Sequence, residues 1–239
     1  MSGAVFNPGC SGGKDQIMGG SGNTVPRLET ARTVMRGHRL DDFEASAKMW
    51  ADLEVVRKIS GRPSSREDSW YRMLRHVGHW QLLGFGYWLV EDRETGEFLG
   101  EVGFADHRRE MDPPLGDYPE IGWVMCVAAQ GRGLASEAVA AAVAWADDRL
   151  ANPKTVCFML PDHETSIRIA EKNGYRRSGP ARYRDAEVLV MGRPVTPHEQ
   201  VEGKGTGQNV VFVKLRRADH AAAPVFDAQC LPVQALEQQ

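Results

Sequence analysis

The chain has 239 residues, of which 42% are hydrophobic and 26% charged, and its formal net charge is −3. This length and composition are ordinary for a globular protein with one substantial core and tails. The small negative charge gives no global reason to expect a nucleic-acid partner, and no stretch approaches the ~20 apolar residues needed to span a bilayer. An anionic ligand would have to be held locally, by helix ends and individual arginines.

The start of the chain and its cysteines indicate the compartment. Residues 1–23 are rich in glycine and serine and lack the apolar core of a signal peptide, so we interpret them as a disordered leader. The cysteines show neither a Cys-x-x-Cys pair nor regular spacing, and two of them lie in apolar strand-like runs, which favours buried thiols of a reducing compartment. They are Cys10, Cys126, Cys157 and Cys230. The sequence therefore predicts a cytoplasmic protein with no membrane partner.

The folded part opens with one predicted strand and two predicted helices. The strand covers residues 33–35, and a helix over about 41–53 begins with acidic residues that suit a first turn. A second helix covers 65–83, because Ser64 or Ser65 can cap its start and Gly84 its end.

Two histidines in the second helix raise the question of a metal site. His76 and His79 are three residues apart and could face one ion. No carboxylate or further histidine follows at ligand spacing, so we interpret both as ordinary histidines of the helix surface. The sequence predicts no metal site.

Three strands are predicted next. Two of them, over 87–90 and 98–104, are joined by a short polar link that contains a glycine, which is typical of a hairpin. Residues 111–117 contain prolines that prevent regular ladder pairing, so we predict a loop there. The third strand covers 120–127.

The third strand leads into a turn with two glycines, and the turn opens into an Ala-rich segment with helical spacing. Gly131 and Gly133 can adopt conformations closed to other residues, with no side chain between their N–H groups and a ligand. The first N–H groups of a helix lack intrahelical partners and favour anions, so such a turn can hold a phosphate or pyrophosphate. Neither a Walker A loop nor the dinucleotide fingerprint fits. A two-glycine turn alone indicates only a tight strand-to-helix connection.

The rest of the chain completes an α/β pattern. Asp162 is a candidate N-cap of the last helix, and Gly174 ends that helix. Beyond residue 193 the composition shifts to Pro, Gly, Gln and Ala, although residues 210–213 could add an edge strand. The predicted elements are a helix over 134–150, a strand over 156–160, a helix over 166–172 and a hairpin of 175–183 with 188–191.

The pattern Gln130-x-x-Gly133-x-Ala135 resembles the acyl-CoA loop of the GNAT superfamily of N-acetyltransferases. Residues 120–124 and 136–138, on either side of the loop, are similar to the branch that acetylates ribosomal-protein N-termini. The resemblance implies an α/β GNAT fold over residues 24–192, with a mixed central sheet of about six to seven strands flanked by about four helices. The sheet is expected to splay at an acyl-CoA cleft, followed by a largely irregular extension over 193–239.

The resemblance implies acetyl transfer from acetyl-CoA, as cosubstrate, to an amine. The amine must be neutral to attack, yet the reference pKa is about 10.4 for lysine and about 7.7 to 8.0 for an α-amino group. A base must therefore remove a proton. Our candidate is Glu120, at the start of the central strand, where the alternative is a solvated strand-end carboxylate. Glu101 is the second candidate, because a charged residue in an apolar strand needs a reason, and the alternative is exposure to solvent on one face of the sheet.

The resemblance also assigns the groups that would hold the cosubstrate. The Val127 N–H is the expected oxyanion donor, and the main chain of the loop is expected to bind the pyrophosphate, with Arg132 adding charge. His163 stands where the family usually has Asn and can still donate a hydrogen bond toward the CoA arm. The expected pyrophosphate-binding residues are Gln130, Gly131, Arg132, Gly133, Leu134 and Ala135.

One departure from the family affects the general acid. Many members have a tyrosine in the last helix, in the slot that Ala170 occupies here. In the ribosomal-protein branch a serine at the place of Ser166 is proposed to meet the leaving thiolate, so Ser166 is our second catalytic candidate. Tyr175 matches an aromatic position that we expect to serve packing.

Two functions follow as hypotheses. The first is an N-acetyltransferase that acts by direct attack in a ternary complex on a primary amine, either a protein N-terminus or a small molecule. The second is a GNAT-fold module that binds acyl-CoA for regulation with little turnover, motivated by Ala170 and His163. The two N-terminal helices and the loop over 106–118 would shape the acceptor site. Acidic residues of that loop suit a cationic amine, although Arg108 and Arg109 weaken the inference. A homodimer is frequent in the family.

Overall fold

The computed structural model describes residues 24–150 and 154–194 of the chain. These residues form a mixed sheet with helices on both of its faces. The strands are β1 (Leu28–Glu29), β2 (Thr33–Arg36), β3 (Tyr87–Asp92), β4 (Phe98–Ala105), β5 (Met111–Asp112), β6 (Glu120–Met125), β7 (Thr155–Met159), β8 (Arg176–Tyr183) and β9 (Ala186–Arg193). Their order across the sheet is β1-β2-β3-β4-β6-β7-β9-β8-β5.

The α-helices of the described residues agree with the predicted pattern, with local differences. They are α1 (Phe43–Ala51), α2 (Leu53–Val56), α3 (Arg66–Leu83), α4 (Leu134–Arg149) and α5 (Glu164–Lys172). The first predicted helix is split in two, because Asp52 is extended and its side chain caps α2 by accepting the Glu54 N–H at 2.9 Å. The last helix begins two residues earlier than predicted, and its N-cap is His163, so the prediction of Asp162 as the cap is wrong.

The bounds of α3 follow from its caps. The Ser65 hydroxyl accepts the Asp68 N–H at 3.0 Å, and the Asp68 carboxylate accepts the Ser65 N–H at 3.2 Å, which is a reciprocal capping box. Gly84 ends the helix in the left-handed conformation. His76 and His79 are both buried, so the prediction of two surface histidines is wrong.

The sheet opens between β6 and β7, as the resemblance implies. These two strands are parallel, whereas every other neighbouring pair of described strands is antiparallel. The parallel register holds a single residue pair, Glu120 with Val156. Because the ladder stops there, the rest of β6 and β7 have no hydrogen bonds to each other and border a cleft.

Both faces of β6 are packed against helices. Ile121 and Met125 belong to the main core, together with buried alanines of α4. Val124 points to the other face and packs in a second cluster with Met49 and Trp50 of α1. The alternation of a strand thus places α4 on one side of the cleft strand and α1 on the other.

The described residues form two short strands in addition to the seven that were predicted. One is β1, and the other is β5, which pairs with β8 inside the segment that the prolines led us to predict as a loop. The predicted leader, most of the predicted extension and the 210–213 strand lie outside the described residues. Cys126 and Cys157 are free thiols, half-buried and buried respectively. Among the described residues no helix is both long and apolar enough to cross a bilayer.

Candidate active site

The two-glycine loop has the local geometry that the sequence predicts. After β6 the chain makes a 3-10 turn over Val127–Ala129, and the Gln130 side-chain amide donates to the Met125 carbonyl at 3.0 Å. Gly131 and Gly133 have φ of 72° and 78°, a region that favours glycine, and Gly133 is the N-cap of α4. The first hydrogen bond of α4 runs from the Glu137 N–H to the Gly133 carbonyl. The first three amides of the helix therefore have no intrahelical acceptor and are available to an anion.

The chain before β2 holds this loop in place. The Glu137 carboxylate accepts from the Thr30 hydroxyl at 2.5 Å, the Arg32 N–H at 2.8 Å and the Arg32 Nε at 2.8 Å. Arg32 Nη1 donates to the Arg132 carbonyl at 2.9 Å. Sequence analysis missed Arg32, because nothing in the local pattern shows that residues a hundred positions apart meet.

The predicted cosubstrate residues lie on both sides of the cleft. The segment 127–135 follows the end of β6, whereas His163 and Ser166 stand at the start of α5, after β7. The Leu134 side chain is buried in the main core, so only its N–H can serve a ligand. The Arg132 side chain is more than half exposed and lies 4.0 Å from Asp92.

His163 acts as the cap of α5. Its Nδ1 accepts the Ser166 N–H at 3.2 Å, which is the bond that an Asn side chain would make at an N-cap. Burial, helped by the positive charge of nearby Lys58, lowers the pKa of His163, so the ring is neutral near pH 7 and can accept this bond. Lys58 itself pairs with Asp162, which ties the segment after α2 to the loop before α5.

We expect the His163 cap to make folding sensitive to acid. A histidine whose pKa is lowered in the folded state stabilises the fold fully above its unfolded value of about 6.5, and that contribution is lost as the pH falls toward the folded value. Burial also lowers the pKa of His107 to about 3, which acts in the same direction. In His163→Asn the amide caps without titrating, so urea unfolding should show a smaller loss of stability between about pH 7.5 and about pH 5. An equal loss in both proteins would contradict the cap.

Glu120 does not stand free at the start of β6. Its two carboxylate oxygens accept from Arg109 Nε at 2.6 Å and Nη2 at 2.9 Å, a bidentate pair. Arg109 also donates to the Tyr183 hydroxyl at 2.7 Å and lies over the Phe158 and Tyr183 rings. The pair sits at the closed end of the β6–β7 ladder. Sequence analysis treated Arg109 only as a loop charge.

Glu101, a residue of β4, is fully buried where that strand packs against α1. Its carboxylate accepts from the Ser46 hydroxyl at 2.6 Å and the Trp50 indole N–H at 3.0 Å. His38 and His76 approach the same carboxylate at 3.5 Å and 3.4 Å. This candidate base is therefore sealed from solvent by side chains of three other segments.

Tyr87 is a further polar group beside β6 that sequence analysis missed. Its hydroxyl lies so close to Gly122 that a Cβ there would be 2.0 Å from the oxygen, so the glycine makes room for the phenol. Burial raises the pKa of Tyr87, so the hydroxyl stays protonated and can donate. Tyr175, by contrast, is buried with its hydroxyl 2.6 Å from Thr155 Oγ1, which agrees with a packing role.

A sheet that splays at the one parallel pair among its described strands, with bare amides at the end of one of those strands, is typical of an acyltransferase-type α/β protein. Residues 32–176 match the family model described as an acetyltransferase (GNAT) domain. The chain belongs to the GNAT acetyltransferase family, whose general reaction is acetyl transfer.

Relatives and solved structures agree with this assignment. The chain is 31% identical over 175 residues to YkkB, a protein of Bacillus subtilis (strain 168) described as uncharacterized, covering 72% of this chain and 97% of the relative. It is similar to the acetyltransferase of Agrobacterium tumefaciens str. C58, with 28% identity, a TM-score of 0.62 and coverage of 71% of this chain and 94% of the other. The ribosomal L7/L12 α-N-protein acetyltransferase RimL, solved with coenzyme A, shares the fold at 15% identity, a TM-score of 0.58 and coverage of 71% and 98%.

Proposed function

We propose that this protein is an acetyl-CoA-dependent N-acetyltransferase that acts on a primary amine by direct attack. The observation that carries the proposal is the pairing of β6 and β7 at a single residue pair, with the bare amides of the two-glycine loop at the end of β6. Such a cleft suits a long ligand with an anionic end, and the amides at the start of α4 suit its pyrophosphate.

The residues of the loop fit the cosubstrate. The N–H groups of 131–135 would hold the pyrophosphate, since two glycines with positive φ leave them uncovered and Arg132 adds a positive charge. The proposal gives the Val127 N–H the role of donor to the oxygen that gains charge on the thioester carbonyl. Acetyl-CoA supplies the activated acetyl group. RimL, which shares the fold, was solved with coenzyme A, which supports the choice of cosubstrate.

The start of α5 would serve the leaving thiolate. Ala170 occupies the family's tyrosine slot and is buried in the core, and its methyl side chain has no proton to give. Ser166 is half-buried at the first turn of α5, where its N–H donates to His163. The proposal assigns its hydroxyl to the leaving thiolate. This role of Ser166 is part of the proposal, as is the placement of His163 beside the CoA arm.

The pairing of Glu120 with Arg109 weakens the prediction that Glu120 is the general base. A base must be able to receive the proton of the amine, and both oxygens of Glu120 already accept from Arg109. An α-amino acceptor, with a reference pKa of about 7.7 to 8.0, is partly neutral near pH 7 and needs less help than a lysine side chain. The pairing of Glu120 therefore favours an α-amino group, such as a protein N-terminus, over a lysine-like amine.

Release of free CoA thiol tests the proposal. Purified protein is mixed with acetyl-CoA and a panel of primary amines, namely short peptides with free N-termini, polyamines and amino acids. We expect thiol release that depends on the amine and saturates with acetyl-CoA. Saturable binding of acetyl-CoA without release on any amine would replace the enzyme with a regulatory acyl-CoA-binding module. A lack of saturable binding by calorimetry would overturn both.

A further inference from the structure

Three ionisable side chains meet in the interior of the described fold, away from the two-glycine loop. They are His38, from the segment after β2, His76 of α3 and Glu101 of β4. Their side chains are only 1%, 4% and 1% exposed. The ring nitrogens and carboxylate oxygens that face one another all lie within 4.8 Å. Three segments distant in sequence thus bring two imidazoles and one carboxylate to a single point.

The two imidazoles have no hydrogen-bond partner among the described residues. Both ring nitrogens of His38 and both of His76 are buried, and the distances of 3.5 Å and 3.4 Å from their Nε2 atoms to Glu101 are long for a hydrogen bond. A buried polar group without a partner is destabilising, so the native fold is expected to supply one. A ligand between the rings and the carboxylate would satisfy both Nε2 atoms.

We propose that His38, His76 and Glu101 bind a divalent transition-metal cation, of which Zn²⁺ is the natural probe. Imidazole nitrogen and carboxylate oxygen are ligands that such ions prefer. Zn–N and Zn–O bonds of about 2.0 to 2.2 Å place two ligands of a tetrahedral ion about 3.4 Å apart. His38 Nε2 lies 3.5 Å from one oxygen of Glu101 and His76 Nε2 lies 3.4 Å from the other, so each nitrogen–oxygen spacing matches that separation and the ion would sit across the carboxylate.

The surroundings of Glu101 support a ligand role for its carboxylate. The Ser46 hydroxyl and the Trp50 indole N–H donate to its two oxygens and fix the plane of the group. Hydrogen bonds of this kind orient carboxylates at metal sites. The His76 ring stacks between two others, with its centroid 4.5 Å from that of Tyr87 and 5.0 Å from that of His38. The ligands are therefore held by packing before an ion arrives.

A cation at this point would join the helical layer to the sheet. His76 belongs to α3, whereas Glu101 belongs to β4, next to the cleft strand β6. The site has three protein ligands, so a water molecule would complete a tetrahedral shell. We infer a structural role that stabilises the helices over this face of the sheet, separate from acetyl transfer.

The experiment measures metal binding directly. The 239-residue chain without a histidine tag is stripped with a chelator and titrated with Zn²⁺ by calorimetry, and Co²⁺ absorption reports the ligand field. We expect one equivalent of Zn²⁺, a Co²⁺ spectrum with visible d–d bands, and a rise in melting temperature on adding metal. Because these readouts need neither acetyl-CoA nor an amine, failure here is distinguishable from failure of the proposed acetyl transfer.

Substitutions of the cluster residues test whether they are the ligands. His76→Asn and Glu101→Gln, made separately and checked for folding by circular dichroism, should each weaken Zn²⁺ binding at least about tenfold. His107→Asn removes a loop histidine outside the cluster and should leave the affinity unchanged. If either cluster variant fails to fold, His38→Asn takes its place. No binding by the wild type, or equal loss in the His107 control, would overturn the site.

Discussion

Replacing Gly131 by valine is expected to weaken acetyl-CoA binding by at least about tenfold, or about 1.4 kcal/mol. Gly131 has a φ of 72°, and no atom of the described residues lies within 4 Å of the position that a Cβ would take. The new side chain would therefore not clash with the protein, but it would meet the pyrophosphate of the proposed complex. A β-branched residue at positive φ also strains the backbone by ~1 to 2 kcal/mol, which disturbs the neighbouring amides. Calorimetric titration with acetyl-CoA measures the change.

The chain offers a matched control for the same substitution. Gly96, in the turn between β3 and β4, has a φ of 74° and the same open space around it. Gly96→Val should therefore lose a comparable amount of unfolding free energy while its affinity for acetyl-CoA stays that of the wild type. Unchanged affinity in Gly131→Val would remove the two-glycine loop from the binding site, and with it the main support for the proposed function.

Glu120→Gln is expected to lower the free energy of unfolding by ~3 kcal/mol and to lower kcat by less than tenfold. Removing the carboxylate leaves Arg109 charged and only 21% exposed, held in place by Tyr183 and Phe158. Leaving one partner of a largely buried pair without the other costs several kcal/mol. The small effect on kcat follows because both oxygens of Glu120 already accept from Arg109. Urea unfolding and steady-state kinetics measure the two quantities.

Two further variants separate the ion pair from catalysis. Glu187→Gln removes an exposed carboxylate of β9 and should change stability by no more than about 0.5 kcal/mol. The double variant Arg109→Met with Glu120→Leu leaves no unpaired charge and should recover most of the lost stability. A fall in kcat of about 10² to 10⁴ in Glu120→Gln, with the stability of the wild type, would instead establish Glu120 as the general base.

The predictions that succeeded depend on neighbours in sequence. The strand-turn-helix around Gly131 and Gly133 could be predicted because positive φ, a bare helix start and apolar periodicity are properties of one short segment. Capping and hairpin turns are local in the same sense, which is why α3 ends at Leu83 as predicted and β3 and β4 form the predicted hairpin. The family resemblance added the splay of β6 and β7, which periodicity does not contain.

The predictions that failed or were incomplete depend on contacts between distant segments. The helical spacing of His76 and His79 does not say which neighbours cover α3, and both are buried by other elements. Asp162 pairs with Lys58, far away in the chain, which leaves His163 to cap α5.

The sequence by itself determined the class of fold and the place of the two-glycine loop, because both are encoded in contiguous residues whose backbone preferences are intrinsic. The tertiary structure alone decided the partners of the charged side chains. It pairs Glu120 with Arg109 and places His38 and His76 beside Glu101. The physical reason is that burial and ion pairing arise only when the elements pack together. The partners of a carboxylate are therefore residues that lie far from it in the sequence.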